Sequence, residues 1–418
     1  MKQTIIIADD LTGALDAVAP YASPEISVSV QLGEDAASNR RHPDVLSTCV
    51  ETRHLIPAAA YEAVHSSFAA AADGAQILFK KTDSALRGNV GAELEALLDA
   101  SGAKVVHFIP AFPCMGRTTV NGVHLVDGVP VAESAFGSDP LNPVTCSRVA
   151  DVIAATSSTS VLEVSVGAPL PADFSGIAVY DALTQEDVDA RASEILALDG
   201  PLALAGCSGL SRALASAQGV ACTDAISGRA SDLMVMCGSG NPASRAQCAA
   251  ARAVAPTLDV PLAAMTNPAW LSGAEACAFV RDAMRAADSC APLMLVDASS
   301  PVPASVADDL GIDNDTLRAR ISNQLGDLFA RLIRDTQPSA AMVMGGDALL
   351  ACLRALNISA LAPFAEPAPG VVAAYADVDG RNMVIISKSG GFGDPQLFCD
   401  LAEHLSGHPV ATAQRLAS

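Results

Sequence analysis

The chain has 418 residues, half of them apolar and 17% charged, with a formal net charge of −21 at pH 7. Such a composition fills a large core and excludes a disordered chain, and the acidic balance argues against a nucleic-acid partner, whose phosphates demand cations. No run of roughly 18 apolar residues marks a membrane span, and Met1–Asp10 lacks the basic start and cleavage site of a signal peptide, so the expected location is the cytoplasm.

The length favours two or three domains. Short apolar runs alternate with helical periodicity. The expected elements, in chain order, are strands at Thr4–Ala8 and Ser27–Gln31, a helix at Ala58–Ala72, a strand at Gln76–Lys80, a helix at Val90–Ser101 and a strand at Lys104–Ile109. A small hairpin is expected at Asn121–Pro130. A strand at Gly176–Tyr180, a helix at Gln185–Leu198 and a strand at Leu202–Ala205 follow. Gly206–Arg229 is rich in small residues and reads as a boundary, dividing the chain into 1–228 and 229–418. Beyond it come strands at Leu233–Cys237, Leu293–Val296, Ala341–Met344 and Met383–Ser387. Helices are expected at Pro242–Val254, Gly273–Ala287, Asp315–Asp335 and Asp347–Leu356, with Pro301–Thr316 as a loop. Strand–helix alternation of this kind predicts an α/β protein of two domains with largely parallel sheets.

Chemistry-bearing residues collect after the strands, where open α/β sheets bind ligands. Asp9-Asp10-Leu11-Thr12-Gly13-Ala14 follows the first strand. Two adjacent carboxylates there suit sugar hydroxyls, a metal or a proton, and equally the start of a helix. Glu51-Thr52-Arg53-His54 by itself reads as a surface ion pair. Lys80 to Asn89 packs three scarce cations, a carboxylate and two hydroxyls into ten residues, a composition suited to an anionic ligand. Arg117 stands in the loop Pro110–Thr119. In the second half, glycines mark three loops: Cys237 to Ser244, Gly345 to Ala348, and Lys388 to Gly393. Glycine lets a backbone approach phosphate closely, and helix starts offer free N–H donors. None of the three is a Walker A loop or a dinucleotide fingerprint. The eleven cysteines are scattered without a C-x-x-C pair, so they read as buried thiols.

Taken together, Ala8–Ala14, Lys80–Asn89, Pro110–Thr119, the stretch through Asp139-Pro140, Gly345–Asp347 and Lys388–Gly393 closely resemble the four-carbon acid sugar kinases, which phosphorylate threonate, erythronate or 3-oxo-tetronate with ATP. The resemblance spans nearly the whole chain, in the family's order. It implies an N-terminal acid-sugar domain, a C-terminal nucleotide domain, and reaction in the cleft between them. Asp9, Asp10, Arg53, Lys81, Asp83, Ser84 and Arg87 then look like the sugar-acid shell, with Arg53 or Arg87 on the carboxylate. Ser239, Gly345, Gly346, Asp347, Ala348 and Gly390 look like ATP contacts, and Lys388 would face a phosphate.

Three positions depart from the family pattern: Ala85 and Ala348 stand where threonine is usual, and Asn241 where a second hydroxyl residue is common. The expected chemistry is in-line transfer from ATP, with Mg²⁺, to the terminal hydroxyl of D-threonate or D-erythronate, with Asp10 or Asp83 as base and Asp9 as the alternative. The metal ligands stay open. So do a 3-oxo-tetronate acceptor, an aspartyl phosphatase, a non-catalytic sugar-acid sensor and a homodimer. Neither nucleic acid nor membrane is expected as a partner.

Overall fold

The computed structural model describes all residues except 34–42, 72–73, 140–141, 290, 304, 390 and 408–418. It divides into two compact units, Met1–Cys222 and Thr223–Ser418.

In the first unit the strands are β1 (Thr4–Ala8), β2 (Val28–Leu32), β3 (Val45–Cys49), β4 (Ile77–Lys81), β5 (Val105–Ile109), β6 (Arg117–Val120), β7 (Val123–Val126), β8 (Val129–Pro130), β9 (Val161–Val164), β10 (Gly176–Tyr180) and β11 (Leu202–Gly206). Its helices are α1 (Leu11–Val18), α2 (Pro57–Ala71), α3 (Val90–Ser101), α4 (Val149–Ala154), α5 (Gln185–Leu196) and α6 (Ser208–Ala217). Eight strands pair side by side in the order β2-β3-β1-β4-β11-β5-β10-β9, and every pairing is parallel. β1, β3, β4, β10 and β11 are buried along their whole length, which is why they read as unbroken apolar runs rather than alternating ones. Helix packing closes one face with Val64, Phe68, Leu94 and Leu97 against Ile5, Ile7 and Leu78.

This topology puts β1 between β3 and β4, in register so that Ala8 pairs with both Cys49 and Lys81. The segments leaving those three strands therefore emerge together at the carboxyl edge, where the strand order changes direction.

The second unit contains β12 (Leu233–Cys237), α7 (Pro242–Arg252), β13 (Thr257–Asp259), α8 (Leu262–Thr266), α9 (Ala274–Ala287), β14 (Leu293–Asp297), α10 (Ser305–Leu310), α11 (Asn314–Thr336), β15 (Ala340–Met344), α12 (Gly346–Ala355), β16 (Ala360–Ala368), β17 (Val371–Val378), β18 (Arg381–Lys388) and α13 (Leu397–Ser406). The strand order is β13-β14-β12-β15-β18-β17-β16. The first five strands run parallel, and β16, β17 and β18 form an antiparallel meander. Leu317, Leu325, Leu328 and Leu332 of α11 are buried, as their helical spacing requires.

The expected boundary segment Gly206–Arg229 contains the point after Cys222 where the two units divide; its first half holds α6 of the first unit, whose Ser211 Oγ donates to the Ala17 carbonyl of α1. Two expectations need correction. Pro301–Thr316 contains the helix α10. The β16–β17 hairpin has no counterpart among the expected strands, because its alanines and prolines carry little strand signal. Among the described residues no helix is long and apolar enough to cross a membrane.

Candidate active site

Asp10 ends the extended backbone of β1 and caps α1. Its Oδ1 accepts from Gly13 N at 2.7 Å and its Oδ2 from Thr12 Oγ1 at 2.9 Å. The segment is thus a helix start with Asp10 as its cap, and a ligand role is compatible with it, because Oδ1 keeps a second lone pair.

Arg53 leaves the short 3₁₀ turn that follows β3. Its Nε donates to Asp9 Oδ2 and its Nη1 to Asp10 Oδ2, each at 2.7 Å, and its Nη2 lies 3.8 Å from Asp83 Oδ1. The side chain is only 13% exposed. The local reading of a surface ion pair is thus overturned: Arg53 is the hub that lets three aspartates share one edge.

Asp83 follows β4 and is held by Arg87 through a two-pronged pair, Nε to Oδ2 at 3.0 Å and Nη2 to Oδ1 at 2.9 Å. Its Oδ2 also accepts from Ala85 N at 3.0 Å. Arg87 reaches Asp139 Oδ2 at 3.2 Å with Nη1 and stacks 5.2 Å from the Phe136 ring centroid. Ser84 is fixed through its carbonyl, which accepts from the buried His124 at 2.9 Å.

Burial pushes both Asp10 and Asp83 upward, but the charges around them win. Arg53, Lys81 and the Thr12 hydrogen bond hold Asp10 below the ordinary carboxylate range, and Arg53 with Arg87 holds Asp83 far below it. Both are carboxylates at neutral pH. Asp83 is saturated and its side chain is 9% exposed, whereas that of Asp10 is 27% exposed.

Lys81 is buried, and its Nζ donates to Thr82 O at 3.0 Å. It sits beside Gly13, and among the described residues no carboxylate comes within 4.0 Å of it. Two oxygens here have no hydrogen-bond partner among the described residues: Asp9 Oδ1 and Thr82 Oγ1, both buried. A buried polar atom without a partner costs about 1–3 kcal/mol, so these two mark where a ligand donor fits. Sequence reading did not single out Thr82, whose hydroxyl has no motif of its own.

The second cluster lies at the ends of β12, β15 and β18, three neighbouring parallel strands. Gly238 N donates to the Met344 carbonyl at 3.0 Å, tying the first two loops. Gly345 takes φ +101° and opens α12, whose start has no side-chain cap. The free N–H groups there suit an anion. Gly346 is half-buried, Asp347 exposed and Ala348 buried. Ser239 Oγ is 3.3 Å from Ser244 Oγ.

Lys388 donates to the Phe392 carbonyl at 2.9 Å, inside its own loop. Burial lowers its pKa to about 8, against an upward pull from Cys237 and Cys248. Gln247, unnoticed in the sequence, lies 3.0 Å through Nε2 from the carbonyls of Phe392, Gly393 and Asp394 and curls this loop. Gly390 lies outside the described residues.

Cys237, Cys248 and Asp297 bring their ligand atoms within 4.8 Å of one another. Asp297 is already taken, however, by Arg252 at 2.8 Å and by Ser299 N at 2.9 Å. Arg252 thus offsets the charge that Asp297 brings to the trio.

Comparison with known proteins adds the family. A sugar-binding N-terminal domain matches residues 4–214, and a nucleotide-binding C-terminal domain matches residues 234–398. A D-threonate kinase of Salmonella typhimurium is 29% identical over 425 residues, covering 95% of this chain and 96% of the relative. A D-threonate kinase of Bordetella bronchiseptica is 31% identical, with 95% and 96% covered. A D-erythronate kinase of Heliobacterium modesticaldum is 29% identical, with 97% of each covered. A crystal structure of a Salmonella typhimurium LT2 protein shares the fold, with a TM-score of 0.78 at 24% identity over 94% of this chain and 97% of that one.

Proposed function

From the premise that this chain belongs to the four-carbon acid sugar kinases and uses ATP to phosphorylate such an acid, we propose that its acceptor is D-threonate, with D-erythronate second, phosphorylated at the terminal hydroxyl. The observation that carries the choice is Asp9 Oδ1, a buried acceptor without a donor. The side-chain oxygens of Asp9 and Asp10 are acceptors, good partners for a hydroxyl and poor ones for a ketone, which also accepts. That favours a hydroxylated acid over the 3-oxo-tetronate on which other relatives act. Two D-threonate kinases among the full-length relatives support the same order.

Arg53 and Arg87 are engaged by aspartates. Lys81 is accordingly the cation proposed to take the acid's carboxylate, in place of either arginine. Asp10, the most exposed of the three aspartates, orients the attacking hydroxyl and receives its proton as phosphoryl transfer proceeds. Asp9 accepts from a second hydroxyl. Arg53 bridges the two, its Nε on Asp9 and its Nη1 on Asp10.

For the nucleotide, the proposed cradle is Ser239, Gly345, Gly346, Asp347 and Ala348, with Gly390 carried over from the family motif and Lys388 on a phosphate. Mg²⁺ fits here as well. Asp347 is an exposed carboxylate at the uncapped start of α12, and magnesium takes one or two such oxygens beside phosphate oxygens. Its chemistry would be to offset phosphate charge.

The test is ADP release with Mg-ATP against D- and L-threonate, D- and L-erythronate and the 3-oxo-tetronates, using the parent and Asp10→Asn. Fastest turnover on D-threonate, abolished in Asp10→Asn, is expected. Fastest turnover on a 3-oxo acid would overturn the acceptor assignment, and near-normal turnover of the variant would overturn the role of Asp10.

A further inference from the structure

Arg53 can bridge three aspartates only if the turn carrying it is held in place, and the turn is held from one side by a buried polar chain. Thr52, fully buried, donates its Oγ1 to Glu93 Oε1. Glu93 Oε2 pairs with Lys80 Nζ at 3.0 Å, and both side chains are at most 3% exposed. Lys80 Nζ donates in turn to the Lys81 carbonyl at 2.7 Å. Asn89 Nδ2 closes the turn by donating to the carbonyls of Thr52 and Leu55, each at 2.9 Å. Glu51, immediately before, takes the left-handed conformation at φ 52°, one that a non-glycine residue adopts only when its surroundings impose it.

The chain of contacts thus runs from the end of β4, where Lys81 and Asp83 stand, through Glu93 of α3, to the turn after β3. These strands flank β1 on either side. A fully buried ion pair is a poor way to gain stability: replacing such a pair with apolar residues is often neutral or better. Here it sets the spacing between two loops whose side chains meet across β1.

We propose that Glu93, acting through Thr52 and braced by Lys80, is the positioning group that aims Arg53 at Asp9 and Asp10. Glu93 touches no reacting atom. It fixes where the guanidinium stands, and a shift of about 1 Å in such a group is enough to cost a hundredfold in rate. The inference rests on the reading that Arg53 belongs to the acid-sugar site.

Three variants test it: Thr52→Val, which removes only the hydroxyl; Thr52→Ser, which keeps it; and Lys80→Met/Glu93→Leu, which replaces the ion pair with apolar groups. In Thr52→Val and the double variant, kcat/KM for the acid should fall roughly tenfold to a hundredfold. The KM for ATP should change little. The melting temperature should fall somewhat in Thr52→Val, which leaves Glu93 Oε1 buried without this donor, and little in the double variant, and Thr52→Ser should restore the acid's parameters. A purely structural role would lower the melting temperature and leave the acid's KM and kcat alone. Thr52→Val and the double variant both folded, with kcat/KM for the acid within about twofold of the parent, would overturn the proposal. Arg53→Ala is measured alongside. If it too leaves the acid's parameters unchanged, the site reading itself has failed. If it impairs them while Thr52→Val does not, only the positioning role has failed.

Discussion

Gly13 and Asp10 stand so close that a methyl group on Gly13 would overlap Asp10 Oδ1, and the same methyl would lie 3.1 Å from Lys81 Nζ. The helix cap, the proposed base and the proposed carboxylate-binding cation therefore converge on a position where only glycine fits. Gly13→Ala should displace Asp10 and lower kcat/KM for the acid by about a hundredfold. Stability should hardly move, because the lost cap costs about 1 kcal/mol while alanine returns about as much within a helix. Steady-state kinetics beside a thermal melt would check it. A fully active variant would mean that the Asp10 carboxylate can move without consequence.

Ala85 is 1% exposed and packs with Val126, Val131 and Val144, beside Phe136. Its departure from the family's usual threonine therefore faces an apolar pocket, not the aspartates, while its own backbone N–H donates to Asp83. Ala85→Thr should destabilise the protein by about 1–3 kcal/mol through overpacking and a buried hydroxyl. The KM for the acid should stay within about twofold. Differential scanning calorimetry with a parallel kinetic assay separates the two effects. A gain in turnover would show that a hydroxyl at this position reaches the reaction after all.

Much of this was legible in local sequence. Buried parallel strands announce themselves as apolar runs, and the residues just past Ala8, Lys81, Cys237, Met344 and Lys388 lie at strand ends by necessity. What could not be read was anything created by strand order. Arg53 looked like a surface ion pair because its partners, Asp9 and Asp10, are 44 and 43 residues away. Gln247 looked like an ordinary helix residue because the carbonyls it gathers lie 145 to 147 residues later. Glu93 was visible only as part of an amphipathic helix. The start of helix α1 was legible at Asp10, which reads both as a helix cap and as a functional residue, whereas the antiparallel β16–β17 pair escaped because alanine-rich strands lack alternation. The amine of Lys388, expected to face a phosphate, donates to the Phe392 carbonyl.

That placement gives Lys388 a distinctive pH signature. Burial lowers its pKa to about 8 from an ordinary 10.5. Folding thus disfavours the protonated form: between pH 8 and 10.5 the unfolded chain binds more protons here, and this group's contribution to stability rises with pH. ATP binding has the opposite sign, since a phosphate favours the charged amine. If Lys388 meets a phosphate, the KM for ATP should be lowest below about pH 8 and climb as pH rises through it, while the melting temperature of the free protein shows no matching loss from this residue. The thiols of Cys237 and Cys248 act on the same amine, so Cys237→Ser serves as a control and should leave the climb in place. Lys388→Met should have a raised KM for ATP that no longer varies across this interval. An ATP KM that climbs identically in parent and Lys388→Met would mean that another group titrates and that Lys388 serves only to hold the Phe392 loop.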